Sequence, residues 1–210
     1  MRQLDVVRII GDVHGQHGRY VELIKKPKYS VQLGDMNFNY SQFVHIDPTK
    51  HVFIPGNHDN YEALPCHALP GDFGTYSVAE LNFDFFYIRG AYSVDKKWRT
   101  HGLTWWPQEE ISWASCNKLI NTVKELQPRV ILSHDCPSVC HEYGVVTNDL
   151  KLGCSKTTAV MDAVWDECAP SLWLFGHHHN DWERTLDGTR FICLNELSFV
   201  DIHPDGSITR

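Results

Sequence analysis

The sequence predicts a layered α/β sandwich whose polar residues meet at one edge of a β-sheet. Short apolar runs typical of buried strands alternate with segments of helical spacing through much of the 210-residue chain, and hairpin signals accompany them. Five of the apolar runs are followed, after one or two intervening residues, by Asp, Asn or His. Because ligand sites in such sheets lie outside the carboxyl ends of the strands, we expect these polar side chains to converge.

The N-terminal third is predicted to contain three strands and one helix. The strands are expected at residues 6–10, 30–33 and 51–54, which are short and mostly apolar. Residues 19–24 have helical spacing and stop before a proline. Residues 64–74 are rich in Pro, Gly and Cys, which indicates a loop.

The middle third is predicted to form an antiparallel section followed by a helix and a strand. Strands are expected at residues 75–78, 82–88 and 91–94, with a turn at Arg-Gly between the last two. Pro and acidic residues at 107–110 are typical of a helix start, and the apolar spacing continues to 126. A buried strand is expected at 130–132.

The C-terminal third is predicted to contain one helix, one buried strand and an antiparallel ending. Residues 136–156 show no periodicity, whereas 157–168 read as a helix and 172–175 as a buried strand. Three further strands are expected at 182–186, 190–194 and 199–203. The sequence shows no repeat or linker, so we expect one domain over residues 1–210.

Composition limits the partners and the compartment. The net charge of −7 offers no general attraction to extended nucleic acid or anionic lipid, and the basic clusters at 25–28 and 96–99 are predicted to be solvated surface. No apolar run reaches the roughly 20 residues of a membrane helix. Seven cysteines, an odd number, suit a reducing cytosol better than a disulfide scaffold. We therefore expect a cytoplasmic protein without a membrane segment.

The polar residues at the strand ends form a candidate metal site. The residues that follow the five runs are Asp12, His14, Asp35, Asn57, His134, His177 and His179. Oxygen and imidazole ligands without thiolate favour Mn²⁺, Fe²⁺, Zn²⁺, Co²⁺ or Ni²⁺ over Ca²⁺. Seven ligands are too many for one catalytic ion, but they are enough for two ions that share a carboxylate.

The charge of such a site predicts a phosphate substrate. Two divalent ions contribute about +4, two aspartates −2 and a bridging hydroxide −1, which leaves about +1. His58, next to the ligand Asn57, is then placed to protonate a leaving group, and Asp59 is expected to orient its ring.

These motifs together resemble the calcineurin-like metallophosphoesterase superfamily. They are Gly-Asp-Val-His-Gly at 11–15, Gly-Asp at 34–35, Gly-Asn-His-Asp at 56–59, His134 and Gly-His-His-His at 176–179. They occur in the family's order, and the size of the chain resembles the compact bacterial and phage members. The resemblance implies a four-layer αββα sandwich with two mixed β-sheets.

The resemblance also implies two metal ligand sets and a catalytic histidine. One ion would take Asp12, His14, Asp35 and His179, and the other Asp35, Asn57, His134 and His177, with Asp35 bridging. His58 matches the catalytic histidine and Asp59 its carboxylate partner. The implied activity is hydrolysis of phosphodiesters, phosphomonoesters or both by a metal-bridging hydroxide, with Mn²⁺ as the favoured metal and a nucleotide-sized substrate such as a cyclic nucleotide.

Departures from the family leave alternative functions open. The residues after Asp35 include no arginine like those that hold phosphate in the Ser/Thr protein phosphatases, which counts against a protein phosphatase. The repair nucleases of the family usually add a DNA-binding cap, for which the chain has little room, although a nuclease remains an alternative. A different class of function is also open, in which the chain keeps the same fold but serves as a non-catalytic binding scaffold.

Several other residues have two interpretations. His178 either faces the substrate or packs beside the site, and Asp135 and Asn180 are expected in turns or behind the ligands. Cys136, Cys140, His141 and Cys154 lack the paired short spacings of a structural zinc site. Four tryptophans could stack a nucleobase but are predicted to be packing residues: Trp98, Trp105, Trp106 and Trp113.

Overall fold

Two mixed β-sheets form the centre of the computed structural model, which describes residues 3–146 and 155–210. The strands are β1 (Leu4–Ile10), β2 (Pro27–Gln32), β3 (His51–Phe53), β4 (Phe73–Val78), β5 (Phe83–Ile88), β6 (Val130–Ser133), β7 (Leu172–Phe175), β8 (Trp182–Leu186), β9 (Thr189–Cys193), β10 (Phe199–Ile202) and β11 (Ile208–Thr209). The α-helices are α1 (His17–Ile24), α2 (Trp113–Leu126), α3 (Ser138–Glu142) and α4 (Lys156–Cys168). The predicted α/β class with two mixed sheets is confirmed.

The strand order explains how distant parts of the sequence meet. One sheet has five strands in the order β11-β10-β1-β2-β3, and the other has six in the order β4-β5-β6-β7-β9-β8. In the first sheet β1, β2 and β3 are parallel neighbours, and in the second β6 is parallel to β7. Parallel neighbours end at the same edge of a sheet, so five carboxyl ends are available to build one site.

Three hydrophobic clusters hold the layers together. The inner faces of the two sheets share one cluster, in which Val31 and Leu132 are fully buried. The outer face of the six-stranded sheet packs against α2 and α4 through residues such as Trp173 and Leu119. The outer face of the five-stranded sheet packs against α1 through Tyr20. Each sheet is therefore covered on both faces, which is the αββα layering that the family resemblance implied.

Two element predictions are wrong for local reasons. Residues 91–94 are not a strand, because Ala91 N–H donates to Glu109 O (2.9 Å) while the Ser93 hydroxyl bonds to side chains. The helix predicted from residue 107 begins instead at Trp113, after a short 3₁₀ turn at Pro107–Glu109. Its N-cap is Ser112, whose Oγ accepts from Ser115 N–H at 3.1 Å.

The segment predicted to be aperiodic, 136–156, includes the short helix α3 and the first residue of α4, and its residues 147–154 lie outside the described residues. Within the described ranges, no helix combines the length and the hydropathy needed to cross a membrane.

A buried ion pair joins the first strand to the C-terminal strands. Arg8 Nε and Nη2 each donate to the carboxylate of Asp201 at 2.8 Å, and the two side chains are only 7% and 12% exposed. We predict that Asp201→Ala lowers the free energy of unfolding by about 3–5 kcal/mol, because the Arg8 guanidinium then stays buried without its partner. Urea denaturation measures this change.

The matched control for Asp201→Ala is Lys25→Ala. Lys25 pairs with Glu22 on the exposed side of α1, where water already screens both charges. Its removal should leave the denaturation midpoint nearly unchanged. Equal destabilisation by the two substitutions would contradict the role assigned to the buried pair.

Candidate metal centre

The carboxyl ends of five parallel strands bring the seven predicted ligand residues together. Asp12 and His14 follow β1, Asp35 follows β2, Asn57 follows β3, His134 follows β6, and His177 and His179 follow β7. Two overlapping groups result, with donor atoms within 4.8 Å of one another: Asp12, His14, Asp35 and His179, and then Asp35, His134 and His177. Asn57 Oδ1 joins the second group, 2.9 Å from His134 Nε2. The groups coincide with the two sets that the family resemblance implied.

The first group is arranged as ligands around a cation. His14 Nε2 lies 2.9 Å from His179 Nε2, although both are basic ring nitrogens. Asp12 Oδ2 lies 3.0 Å from His179 Nε2 and 3.5 Å from His14 Nε2. It is nevertheless buried without an aligned hydrogen-bond partner among the described residues. A metal ion would satisfy this oxygen and separate the two nitrogens, so these residues fit a divalent cation.

In the second group, hydrogen bonds to other parts of the His134 and Asn57 side chains orient their candidate ligand atoms, Nε2 and Oδ1, toward each other. His134 Nδ1 donates to the carbonyl oxygen of Leu33 at 2.7 Å, so in the neutral ring Nε2 carries the lone pair. That Nε2 lies 3.2 Å from Asp35 Oδ1. Asn57 Nδ2 donates to Ser93 Oγ at 3.0 Å, which turns Asn57 Oδ1 toward the site. Both side chains are therefore oriented as ligands by groups outside the site.

The electrostatics of the site favour positive charge. Burial alone would lower the pKa of His134, but the Asp35 carboxylate outweighs it and raises this pKa to about 10. Burial would also raise the pKa of Asp12, yet His14 and His179 hold it below its usual range. Burial lowers the pKa of His177 to about 3, so this ring is neutral at pH 7, the form in which a histidine can bind a metal ion. Metal ions would supply the positive charge that protonated rings supply here.

The loops that carry the ligands are conformationally strained. His14, Asp35, His177 and His179 all have φ between 45° and 64°. Non-glycine residues in this left-handed region cost of order 1 kcal/mol or more each, and they cluster at ligand sites. Gly34, with φ of 112°, is required because an added Cβ would lie 2.2 Å from His134 Nδ1.

The carboxylate of Asp59 does not contact His58, so the predicted orienting role is wrong. It accepts backbone N–H groups of Asp35, Met36, Asn37 and Gly56, together with the Tyr40 hydroxyl, at 2.7–3.2 Å. In the described part of the chain none of its bonds comes from His58. The Asp59 side chain is fully buried, and the backbone N–H groups around it would have no partner without its carboxylate. It therefore bonds to them rather than to His58. It positions the loops that carry Asp35 and Asn57.

His58 lies at the rim of the candidate centre. Its side chain is 30% exposed, its ring centroid is 5.4 Å from that of His14, and its backbone N–H donates to Asp35 Oδ1 at 2.7 Å. The carboxylate beside its ring is that of Asp95, with Oδ2 4.0 Å from Nε2. Burial lowers the pKa of His58, and the nearby Arg99 charge acts in the same direction. Nothing in the sequence indicated that Asp95 lies beside His58, because Asp95 belongs to an irregular segment.

A buried network behind Asn57 was also missed by the sequence analysis. The Arg99 guanidinium, 6% exposed, donates to Asn57 O and Glu109 Oε1, each at 2.8 Å. Ser93 Oγ donates to Glu109 Oε2 while it accepts from Asn57. The prediction that the 96–99 cluster is solvated surface is therefore wrong for Arg99. Its fixed position supports the backbone and side chain of a candidate ligand.

The predictions for the tryptophans are confirmed only in part, and the structure favours one of the two alternatives for His178. Trp106 is buried as predicted, whereas Trp98 and Trp113 are 80% and 74% exposed, so the packing prediction is wrong for those two. The His178 side chain is only 4% exposed and lies against Asp135, which supports the packing alternative over substrate contact. Asn180 Nδ2 donates to Val145 O at 3.0 Å and so ties the loop after β7 to the segment after α3.

Cavity size does not identify this site. A cavity of about 1060 Å³ opens near the amino ends of β6, β7 and β9, and it contains none of the candidate ligands. The candidate metal centre lies at the opposite, carboxyl ends of the same strands, where loop residues rather than a deep cavity define it.

The position of Asp59 generates a test that separates positioning from ring orientation. We predict that Asp59→Asn lowers the unfolding free energy of the metal-free protein by about 1–3 kcal/mol, because an amide group then faces buried N–H donors. It should also weaken Mn²⁺ binding about tenfold or more. Chemical denaturation and calorimetric titration measure the two effects.

Asp47→Asn is the matched control for Asp59→Asn. Asp47 is exposed and accepts from Thr49 N–H at 3.0 Å, a local bond that Asn can keep. An Asp59→Asn protein with unchanged stability and metal affinity but reduced turnover would contradict positioning and restore the orienting role.

Comparison with known proteins identifies the family. A family model described as calcineurin-like phosphoesterase matches residues 6–181. No curated protein sequence matches the chain. A solved dimetal phosphatase from Danio rerio has the same fold, with a TM-score of 0.56 and 15% identity, over 96% of this chain and 93% of that one.

Two other solved structures share the fold. A putative 5′-nucleotidase from Staphylococcus aureus is similar with a TM-score of 0.56 and 11% identity over 97% of this chain, which spans 52% of that protein's length. The phosphopantetheinyl hydrolase of Mycobacterium tuberculosis is similar with a TM-score of 0.50 and 13% identity, over 93% of this chain and 91% of that one. Because the family model covers most of the sequence, the chain belongs to the metal-dependent calcineurin-like phosphoesterase family and is a hydrolase of phosphoester bonds.

Proposed function

We propose that this chain is a two-metal phosphoesterase in which residues 1–210 act as one domain. The observation that carries the proposal is the pair of ligand groups that share Asp35. Asp12, His14, Asp35 and His179 would hold one ion, and Asp35, Asn57, His134 and His177 the other. Two bound ions, preferably Mn²⁺, would lower the pKa of a water molecule between them and neutralise phosphate oxygens during in-line attack.

The charge of the site supports a phosphate ester as substrate. Asp12 and Asp35 are the anionic ligands, so two divalent ions leave a surplus of about two positive charges before water or substrate binds. The rest of the protein carries a net negative charge. Local attraction by the centre, rather than a general basic surface, would bring the phosphate to it.

His58 is proposed to supply the proton for the leaving group. Its backbone N–H is held by Asp35 Oδ1, so the side chain is anchored at the edge of the site while its ring stays partly exposed. A proton on Nε2 would pass to the leaving-group oxygen, and the Asp95 carboxylate 4.0 Å away would favour the protonated ring. Asp59 serves His58 only indirectly, by fixing the loop that carries it.

A nucleotide-sized substrate, such as a cyclic nucleotide, is favoured within this class. Trp98 is exposed, and in the sequence it stands between Asp95, whose carboxylate is beside His58, and Arg99, which bonds to Asn57 O. An exposed indole near a phosphate site can stack a nucleobase. Extended nucleic acid is disfavoured by the net charge of −7. A protein phosphatase is disfavoured because Arg99 is already paired with Glu109 and cannot clamp a phosphate.

The cytoplasm is the proposed compartment. The described cysteines are all free thiols, and four of the six are buried. Buried thiols without disulfide partners suit a reducing environment.

The His58 proposal is tested by substitution. We predict that His58→Ala lowers kcat for bis-p-nitrophenyl phosphate about 10²–10⁴-fold, the range for loss of a general acid, while Mn²⁺ binding is retained. His45→Ala, at an exposed position remote in sequence, is the control and should behave as wild type. Normal turnover by His58→Ala would exclude the assignment, and p-nitrophenyl phosphate assayed in parallel separates diester from monoester preference.

The nucleotide proposal is tested on Trp98. Loss of base stacking costs about 1–3 kcal/mol, so we predict that Trp98→Ala raises KM for a cyclic nucleotide about 5–150-fold with little change in kcat. Trp113→Ala removes an equally exposed indole from the start of α2 and should leave KM unchanged. Equal KM values for wild type and Trp98→Ala would contradict the stacking role.

A further inference from the structure

A second cluster of metal-ligand residues lies beside the candidate metal centre and shares no residue with it. It consists of Asp135, Cys136, His141 and His178, whose donor atoms all lie within 4.8 Å of one another. Asp135 and Cys136 follow β6, His141 belongs to α3, and His178 follows β7. Neither the family match nor the fold comparisons assign a role to these side chains.

The distances in the cluster match those around a tetrahedral ion. His178 Nε2 lies 3.3 Å from Cys136 Sγ and 3.3 Å from Asp135 Oδ1. Ligands of a tetrahedral zinc ion at about 2.0–2.3 Å are separated from each other by roughly 3.3–3.8 Å. The ring of His141 approaches that of His178 edge-on, with centroids 5.0 Å apart. Small ligand shifts would place all four donors around one ion.

Hydrogen bonding alone does not satisfy this cluster. A neutral His178 has at most one proton on Nε2, but this nitrogen faces both a carboxylate oxygen and a sulfur. His141 Nε2 is buried and has no hydrogen-bond partner in the described ranges. A buried nitrogen without a partner destabilises the folded protein. A cation between the four donors would satisfy His141 and both contacts of His178.

The donor set indicates which metal would bind. One thiolate, two imidazoles and one carboxylate form a mixed sulfur, nitrogen and oxygen set that suits Zn²⁺ in four-coordinate geometry. The set lacks the many oxygen ligands that Ca²⁺ or Mg²⁺ requires. Asp135 and Cys136 are 3% and 0% exposed, so water is largely excluded, as in structural zinc sites.

We propose that Asp135, Cys136, His141 and His178 bind a structural zinc ion that is separate from the two ions of the candidate metal centre. On binding, the Cys136 thiol releases its proton to solvent and ligates as the thiolate. The zinc ion ties the segment after β6, which carries His134, to the loop after β7, which carries His177 and His179. It thereby fixes the loop after β6 against the loop after β7, whose residues His177 and His179 are strained.

A different set was considered from the sequence alone, and its spacing does not suit a structural zinc site. Cys136, Cys140, His141 and Cys154 are close in sequence, but Cys154 lies outside the described residues and Cys140 is not part of the cluster. The remaining residue of the proposed site is His178, which lies 42 positions after Cys136 in the sequence. Such a ligand pair has no short spacing, so only the parallel pairing of β6 with β7 reveals it.

Cobalt absorption distinguishes this site from the candidate metal centre. The seven residues of the centre include no cysteine, so a thiolate-to-cobalt charge-transfer band in the near ultraviolet can only come from a site with a cysteine ligand. We predict that reduced, chelator-stripped full-length protein titrated with Co²⁺ develops this band, and that its final intensity corresponds to about one thiolate-bound ion per chain while the candidate metal centre takes up further Co²⁺ without adding to the band. The readout does not depend on turnover, so it stands apart from the proposed function.

Substitutions locate the ligand. Cys136→Ser should abolish the band and lower the zinc content of the purified protein by one equivalent, whereas Cys116→Ser, at a buried thiol of α2, should change neither. If Cys136→Ser fails to fold, His141→Ala at the half-buried end of the cluster should still weaken Co²⁺ binding at the thiolate site tenfold or more. A wild type without the band, a band that survives Cys136→Ser, or an unchanged affinity in His141→Ala would overturn the proposal.

Discussion

The Asp35 carboxylate is the group on which the candidate site depends. It lies within 3.5 Å of ring nitrogens from both ligand groups, His14 and His134, and it accepts the backbone N–H of His58. Its own backbone N–H donates to Asp59, which holds the loop after β2 against the loop after β3. A single buried carboxylate therefore connects both ligand groups and the proposed acid. The cost of burying this charge is offset by the positive charge that surrounds it.

The candidate ligands come from both sheets, so the site depends on how the two sheets are held together. Asp12 and Asp35 come from the five-stranded sheet, and His134 and His177 from the six-stranded sheet. Bonds across the gap, His134 Nδ1 to Leu33 O and His177 N–H to Asp12 Oδ1, join the two edges directly. The hydrophobic cluster between the sheets fixes their separation. Strain in the left-handed loop residues is tolerated because these contacts over-determine the loops.

Much of the fold and of the ligand set could be predicted from the sequence, because both follow from short-range rules. Apolar runs followed closely by Asp, Asn or His indicated the strand ends, and β7 was predicted at its observed limits. The errors arose where long-range packing decides. Asp59 was assigned to its neighbour His58, but buried backbone donors compete more strongly for its carboxylate. Arg99 and Asp95 lie in an irregular segment, so no periodicity could indicate that they reach the site. The Asp135–His178 contact depends on strand pairing and has no local signal.

The central claim is that two metal ions share Asp35, and crystals soaked in Mn²⁺ test it most directly. Anomalous difference maps from data collected at the manganese absorption edge would locate the ions without reference to activity. The account predicts two strong peaks, one beside Asp12, His14 and His179 and the other beside Asn57, His134 and His177, with the Asp35 carboxylate between them. A single peak that does not touch Asp35, or no peak at these residues at saturating Mn²⁺, would contradict it.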